Sequence, residues 1–142
     1  MRLLSVRDRS RSELSQRLAR KGFSSEQIDS ALARATELGY LDDRRFAHNR
    51  ARSLVRQGKA VGKRLELELK RHNLDSNDIA LASAAAEEEH PPEATLRDLL
   101  ERRYSDFNYH QASDKERNRV VNFFQRRGFP LSLVLAILKE ER

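Results

Sequence analysis

The sequence predicts an all-α protein built from tandem three-helix units that stack into an elongated, curved array. Apolar residues recur at helical spacing, and glycines and capping residues separate the helical segments. One apolar pattern also occurs three times along the chain. Hydrophobic residues are 38% of the 142 residues and aromatic residues 6%, which favours several thin helical layers over one thick core.

The repeated pattern covers seven positions around a tight turn between two helices. It returns about 50 residues after its first occurrence and once more about 55 residues later. The three sets are Leu14, Leu18, Gly22, Phe23, Ser24, Ile28 and Ala31; Leu65, Leu69, Asn73, Leu74, Asp75, Ile79 and Ala82; and Val120, Phe124, Gly128, Phe129, Pro130, Val134 and Ile137. This agreement predicts repeat units at residues 1–60, 61–109 and 110–142, of which the last lacks its third helix.

The first two helices are predicted from their caps. Ser10 and Glu13 have the spacing of a capping box, and Gly22 can end the first helix in the left-handed conformation. Ser24 and Gln27 form a second box at the start of helix two. Phe23 and Ile28 flank that box as a hydrophobic staple would, and the buried face of helix two comprises Ile28, Ala31, Leu32, Ala35 and Leu38.

The segment 39–47 is predicted to join helices two and three. Gly39 can end helix two with a positive φ, and Asp42 can cap helix three. Leu41 and Phe46 have the spacing of a staple around that cap. Asp42 and Asp43 could also hold a metal or act as acid and base, but their place at a helix start favours capping. The structural joint therefore comprises Gly39, Tyr40, Leu41, Asp42, Asp43 and Phe46.

Later helix boundaries follow from the same signals. Pro91 and Pro92 break an Ala-rich helix and can open the next one. The predicted ranges are helix three from about Asp43 to Gln57, a sixth helix from about Glu93, a seventh from about Asp114 to Arg127, and an eighth from Leu131 towards the C-terminus.

Charge and composition limit the possible functions. The net charge is +6, the N-terminal half is the most basic part, and residues 73–100 are acidic, so a basic face for an anionic partner is expected. The chain has no cysteine, which excludes disulfides and agrees with a reducing cytosol. No signal peptide or apolar run of membrane-spanning length is evident, so we expect a cytoplasmic protein without a membrane partner.

The sequence shows no pattern of catalytic residues. His48, His72, His90 and His110 lack metal-ligand spacing and are expected at the surface. No glycine-rich phosphate loop is present. We therefore predict a protein that is not an enzyme and that needs no cofactor or metal.

Helix three carries the clearest binding signal. At 100° per residue, Arg45, Arg52, Arg56 and Lys59 fall in one stripe. The opposite side is apolar and comprises Ala47, Ala51, Leu54 and Val55. The positive charge extends into the next unit through Lys63, Arg64, Lys70 and Arg71. Phosphates or a carboxylate-rich protein groove would both suit this surface, although an exposed arginine stripe also keeps a helix soluble.

A second candidate combines arginines with aromatic residues. Arg102 and Arg103 precede Tyr104, Phe107 and Tyr109, and such a set can stack the bases of single-stranded nucleic acid. In the other interpretation, the aromatic rings fill the gap between units two and three.

Several spaced residues resemble the signature of RecX proteins, which are bacterial regulators of the RecA recombinase. They are Ser12-Glu13-Leu14, Leu18, Gly22-Phe23, Ile28, Leu32, Gly39-Tyr40-Leu41-Asp42-Asp43, Phe46-Ala47, Arg52, Gly58, Leu65, Leu69 and Leu74. The resemblance implies tandem three-helix repeats, and binding in the groove of the RecA filament on single-stranded DNA. It further implies inhibition of ATP hydrolysis, strand exchange and coprotease activity, and hence regulation of DNA repair, recombination and the SOS response. Pro130, at a capping position, departs from the expected pattern.

The sequence leaves two other functions open. The chain could bind DNA phosphates directly through its basic face, without sequence specificity and without a recombinase, or it could be a helical adaptor for another acidic protein. The first hypothesis remains binding of the RecA filament by a monomer through Arg45, Arg52, Arg56, Lys59, Lys63, Arg64, Lys70 and Arg71.

Overall fold

A computed structural model describes residues 10–39 and 41–140 and contains eight α-helices and no strand within those ranges. The helices are α1 (Arg11–Arg20), α2 (Ser25–Glu37), α3 (Asp43–Arg56), α4 (Gly62–Lys70), α5 (Ser76–Glu89), α6 (Pro92–Arg103), α7 (Asp114–Arg126) and α8 (Leu131–Leu138). The prediction of an all-α chain of stacked helical units is confirmed. Tyr40, a residue of the predicted joint, lies outside the described residues.

The same turn closes α1 and α7, as the repeat predicts. Gly22 and Gly128 have φ angles of 92° and 100°. After each glycine, a phenylalanine amide donates back across the turn, from Phe23 to the carbonyl of Leu18 and from Phe129 to that of Phe124. The corresponding residue of the second unit, Asn73, also has a positive φ, of 53°.

The two predicted capping boxes have different outcomes. Ser24 and Gln27 exchange both hydrogen bonds, so the second box is confirmed, while Phe23 beside it remains 47% exposed. The Ser10 hydroxyl accepts from the Glu13 amide at 3.2 Å. The Glu13 carboxylate, however, contacts the ring of His72 rather than the Ser10 amide. The prediction of a full capping box at α1 is therefore wrong, because its second hydrogen bond does not form.

The buried apolar residues among positions 10–39 and 41–140 form two separate clusters. The smaller cluster lies within α1, α2 and the joint that follows α2. It comprises Leu14, Leu18, Ile28, Leu32, Ala35 and Leu41. The larger extends through α3 to α8 and includes the predicted inner face of α3, which is confirmed as buried: Ala47, Ala51, Leu54 and Val55. Helix α3 packs on α5 and α4, so it follows α2 along the chain but shares its core with the later helices.

Backbone contacts connect the α3–α4 turn to the α7–α8 turn. The Val61 amide donates to the Arg127 carbonyl at 2.8 Å, and Arg127 Nη1 donates to the Gly58 carbonyl at 3.1 Å. Gly128 lies so close to this turn that a Cβ atom placed on it would stand 2.0 Å from the Val61 carbonyl oxygen. Gly128 is therefore required both by its φ angle and by the close approach of the two turns.

Carboxylates link different helices at the start of α4 and near the end of α8. Val61, the N-cap of α4, offers no side-chain cap, and Glu87 of α5 accepts from the Gly62 amide at 2.6 Å instead. Near the C-terminus, Arg97 of α6 binds Glu140 through two hydrogen bonds of 2.6 and 2.7 Å and also binds Glu93. Helix α6 begins at Pro92, one residue before the predicted start at about Glu93.

Candidate interaction surface

The acids of the joint both cap helices. Gly39 takes a φ of 76°, and Asp42 accepts from the Arg45 amide at 3.1 Å to cap α3. Asp43 reaches the other way and accepts from the Arg11 amide, at the start of α1, at 2.6 Å. The structure shows no group of three or more metal-ligating side chains among residues 10–39 and 41–140.

The predicted staple across the joint is wrong. Leu41 is buried in the cluster of α1 and α2, whereas Phe46 is buried in the cluster of α3 to α8. The joint therefore anchors one residue in each core. The sequence spacing was compatible with a staple, but α3 turns away from α2 to pack on α5.

A polar contact holds α1 against the turn between α4 and α5. The His72 ring contacts the Glu13 carboxylate through Nδ1 and packs edge-on against Phe46, with ring centroids 5.0 Å apart. Beside it, Asn73 donates to the Ser12 hydroxyl at 2.9 Å. We call the pairs Glu13–His72 and Ser12–Asn73 the latch. His72 is largely shielded, with 23% of its side chain exposed, so the prediction of a surface histidine is wrong here.

The stripe on α3 is exposed opposite the buried face. Arg45, Arg52 and Arg56 all lie on the solvent side of the helix. Lys59 is exposed but does not continue the stripe as predicted, because α3 ends at Arg56 and the chain turns at Gly58. The Lys59 amide donates back to Leu54, so its direction is set by the turn and not by helical spacing.

Some of the predicted cations already have carboxylate partners. Arg52 binds Glu89 at 3.0 Å, and Glu68 lies 2.8 Å from Arg64 and 3.4 Å from Arg71. Within the described part of the chain, four other residues of the surface form no ion pair: Arg56, Lys59, Lys63 and Lys70. The uncompensated charge is thus concentrated around the end of α3 and the start of α4.

A shallow groove adjoins this uncompensated region. It has a volume of about 320 Å³ and is lined by Arg56, by Glu89 and His90 at the end of α5, and by the first turn of α6. His90 Nε2 is shielded from solvent and has no hydrogen-bond partner there. Asp98 of α6 also lines the groove, so two carboxylates face the one cation, Arg56, and the groove itself does not favour an anionic side chain.

The aromatic candidate is internal. Tyr104, Phe107 and Tyr109 are half-buried and pack against the larger core, and Tyr104 meets Phe123 edge-on with centroids 5.3 Å apart. The guanidinium of Arg117 lies 4.5 Å from the centre of the Tyr109 ring. This packing favours the interpretation in which the rings fill internal space over the one in which they stack bases, and a gap between units two and three stays a prediction.

No helix in the described ranges is both long and apolar enough to cross a membrane. The helices stack as repeated units and α3 carries arginines on its outer face, which together define a helical-repeat protein with a basic surface.

The chain belongs to the RecX family. Residues 1–34 match the model of the RecX first three-helix domain, and residues 92–138, which hold α6, α7 and α8, match the RecX third three-helix domain. The regulatory protein RecX of Syntrophotalea carbinolica is 41% identical over 142 residues, covering 100% of this chain and 93% of that protein. The regulatory protein RecX of Vibrio vulnificus is 35% identical over 99% of this chain and 89% of its own length.

Two solved structures have the same fold. A crystal structure of regulatory protein RecX aligns with a TM-score of 0.73 at 20% identity, covering 98% of this chain and 67% of that one. The crystal structure of RecX from Lactobacillus salivarius aligns with a TM-score of 0.69 at 18% identity, covering 97% and 88% of the two chains.

Proposed function

We propose that this protein binds the RecA filament on single-stranded DNA and inhibits its ATPase, strand-exchange and coprotease activities. It thereby regulates DNA repair, recombination and the SOS response in the cytoplasm. Membership of the RecX family supports this proposal, since the relatives of known name are regulatory proteins. The protein acts by binding, as a monomer, without catalysis of its own and without a cofactor.

The two-sided character of α3 is the observation that carries the proposal. Ala47, Ala51 and Val55 are fully buried, which fixes the helix against the core. Arg52 and Arg56 extend from the other side into solvent. A rigid helix that presents guanidinium groups can form bidentate contacts with carboxylates or phosphates at a defined angle.

The cations of this surface differ in their availability. Arg52 must exchange Glu89 for an incoming anion, whereas Arg56, Lys59 and Lys63 carry no such competitor among the described residues. The exchange costs little because the Arg52–Glu89 pair is about half exposed, and pairs of that kind contribute about 0–1 kcal/mol. Binding therefore starts at the end of α3 and extends along the helix to Arg52 and Arg45.

Contacts between the helical layers support a mechanism in which the protein acts as a brace. The α3–α4 turn is bonded to the α7–α8 turn through Val61 and Arg127, and α4 is capped by Glu87 of α5. These bonds join distant parts of the chain into one framework. A stiff array that spans neighbouring protomers of a filament would oppose the movements that accompany each cycle of ATP hydrolysis.

A charge reversal tests the assigned surface. Arg52→Glu/Arg56→Glu should reduce inhibition of the RecA ATPase on single-stranded DNA by about tenfold or more, because two charge-assisted contacts of about 1 kcal/mol each become repulsive. The matched control is Lys115→Glu/Arg119→Glu, which makes the same change of charge on exposed positions of α7. Circular dichroism should show the same helix content for both variants. Equal inhibition by the first variant and by the unchanged protein would remove α3 from the binding surface.

The dose needed for inhibition separates the RecA hypothesis from the DNA-binding alternative. A protein that engages the filament should inhibit at amounts well below those that cover the DNA. If inhibition appears only when the protein coats the single strand, direct phosphate binding is the better explanation. An adaptor for some other acidic protein would neither inhibit the ATPase nor bind the DNA.

A further inference from the structure

Three arginines converge where α6 meets the turn between α7 and α8. Arg103 ends α6, Arg126 ends α7, and Arg127 follows as the cap of α7. The guanidinium carbons of Arg103 and Arg127 lie 4.7 and 4.3 Å from the centre of one ring, that of Phe123. We call these three side chains the arginine cluster.

The arginine cluster has no carboxylate partner within residues 10–39 and 41–140. Arg126 donates through Nε to the Asn122 carbonyl at 3.2 Å, and Arg127 donates to the Gly58 carbonyl at 3.1 Å. Arg97 on the same helix as Arg103, by contrast, is bound by two carboxylates. Two guanidinium groups are therefore held over one ring, Arg126 is the residue next to one of them, and none of the three has a carboxylate partner in the described part of the chain.

The electrostatics of Arg127 agree with this geometry. Partial burial, and next to it the charges of Arg103 and Arg126, lower the pKa of Arg127 below its ordinary value. An arginine stays protonated even so, and the repulsion remains as an unfavourable term in the folded protein. An anion bound among the three groups would relieve that repulsion and form charge-assisted hydrogen bonds.

We propose that Arg103, Arg126 and Arg127 form a second binding site, which takes the carboxylate side chains of an acidic segment of a partner protein. The site lies on α6 and α7 and adjoins the α3–α4 turn, because Arg127 donates to the Gly58 carbonyl. It does not include the arginines of α3, and its test does not depend on which partner those arginines bind. The bidentate contact of Arg97 with Glu140 shows the geometry that an arginine of this chain forms with a carboxylate.

The surroundings favour carboxylates over single-stranded nucleic acid. Proteins that bind single strands offer open aromatic faces for base stacking. Here the Phe123 ring lies under two guanidinium groups and meets the edges of Tyr104 and Phe124. Arg103 and Arg127 also lie over one ring instead of following a line, which suits one or two carboxylates better than a row of phosphates.

Binding of a labelled acidic peptide tests this site. Fluorescein-labelled hexaglutamate should bind the full chain at low ionic strength, and Arg103→Gln/Arg126→Gln should raise its Kd about tenfold. The control Lys115→Gln/Arg119→Gln removes the same charge from α7 and should leave the Kd within about twofold. Because Arg103 also packs on Phe123, the single variant Arg126→Gln is measured too; it should weaken binding about threefold with unchanged helix content.

Three outcomes would overturn the proposal. The first is no saturable binding of hexaglutamate by the unchanged protein. The second is an equal loss of affinity in the control, which would show an effect of net charge. The third is that labelled oligothymidylate, and not the peptide, depends on Arg103 and Arg126, which would make the cluster a phosphate site.

Discussion

At the scale of single residues, the glycines of the repeat differ in what they do. Gly22 and Gly128 occupy equivalent turns with nearly equal φ angles, 92° and 100°. Around Gly22 a Cβ atom would meet nothing within 4 Å, whereas at Gly128 it would overlap the Val61 carbonyl. Gly22 is needed only for its positive φ angle, whereas Gly128 is also needed because two turns approach each other closely there.

Alanine substitutions at these two positions separate the two requirements. Gly22→Ala should lower the free energy of unfolding by about 1 kcal/mol, the cost of a left-handed alanine. Gly128→Ala adds a backbone overlap that no side-chain rotation relieves, so the loss should exceed about 3 kcal/mol. Urea denaturation followed by circular dichroism measures both. Equal losses would mean that the two turns do not press on each other in solution.

At the scale of elements, Arg97 holds the end of α8 against α6. It binds Glu93 one turn earlier on its own helix and Glu140 just beyond α8. The hydrogen bonds to Glu140 and then to Glu93 raise the pKa of Arg97, and the Arg97 hydrogen bond lowers the pKa of Glu140. All three side chains are exposed enough for water to screen the interaction, so the clamp positions the helix end more than it stabilises the fold.

The clamp predicts a pH dependence with a definite sign. Because the folded pKa of Glu140 is depressed, its contribution is present above the unfolded carboxyl pKa and is lost as the pH falls through the folded value. An NMR titration should therefore find the Glu140 carboxyl more acidic in the unchanged protein than in Arg97→Gln. An identical Glu140 titration in both proteins would show that the contact does not persist in solution.

Local signals predicted the helices well, because caps and turns depend on neighbouring residues. Ser24, Gly22 and Pro92 each act within a few positions of themselves. Contacts between residues that are distant along the chain could not be predicted in this way. Glu13 contacts His72 instead of the Ser10 amide, and Glu87 accepts from the Gly62 amide, 25 positions away. In both cases helix packing, and not chain order, brings the two partners together.

The candidate surface likewise has residues that local spacing predicted and residues that only packing brings together. The exposed face of α3 followed from helical spacing, since its buried face is plain in the sequence. Lys59 was misplaced because that spacing was extended beyond the turn at Gly58. The arginine cluster was not predicted, because Arg103 and Arg127 meet only through the packing of α6 on α7 and α8.

At the scale of the whole molecule, the described residues form two apolar cores, and polar contacts lie between them. Residues of α1 and α2 form one core, and α3 to α8 form the other. Between them lie the latch and the Asp43–Arg11 contact. A polar boundary contributes less to the free energy of unfolding than a shared apolar core would, so the two parts should open with different free energies.

Removal of the latch should therefore release α1 and α2 without unfolding the rest. His72→Ala deletes the contact with Glu13, a loss of about 1–2 kcal/mol at that boundary. The packing of the His72 ring on Phe46 lies within the larger part and does not cross the boundary. Hydrogen exchange of amides in α1 and α2 should then become about 5- to 30-fold faster, while protected amides of α5 keep their rates. His48→Ala on α3 is the control, since its side chain has no hydrogen bond, ion pair or ring contact among the described residues. Uniform acceleration across α1 to α8 would instead show that the two cores open as one cooperative unit.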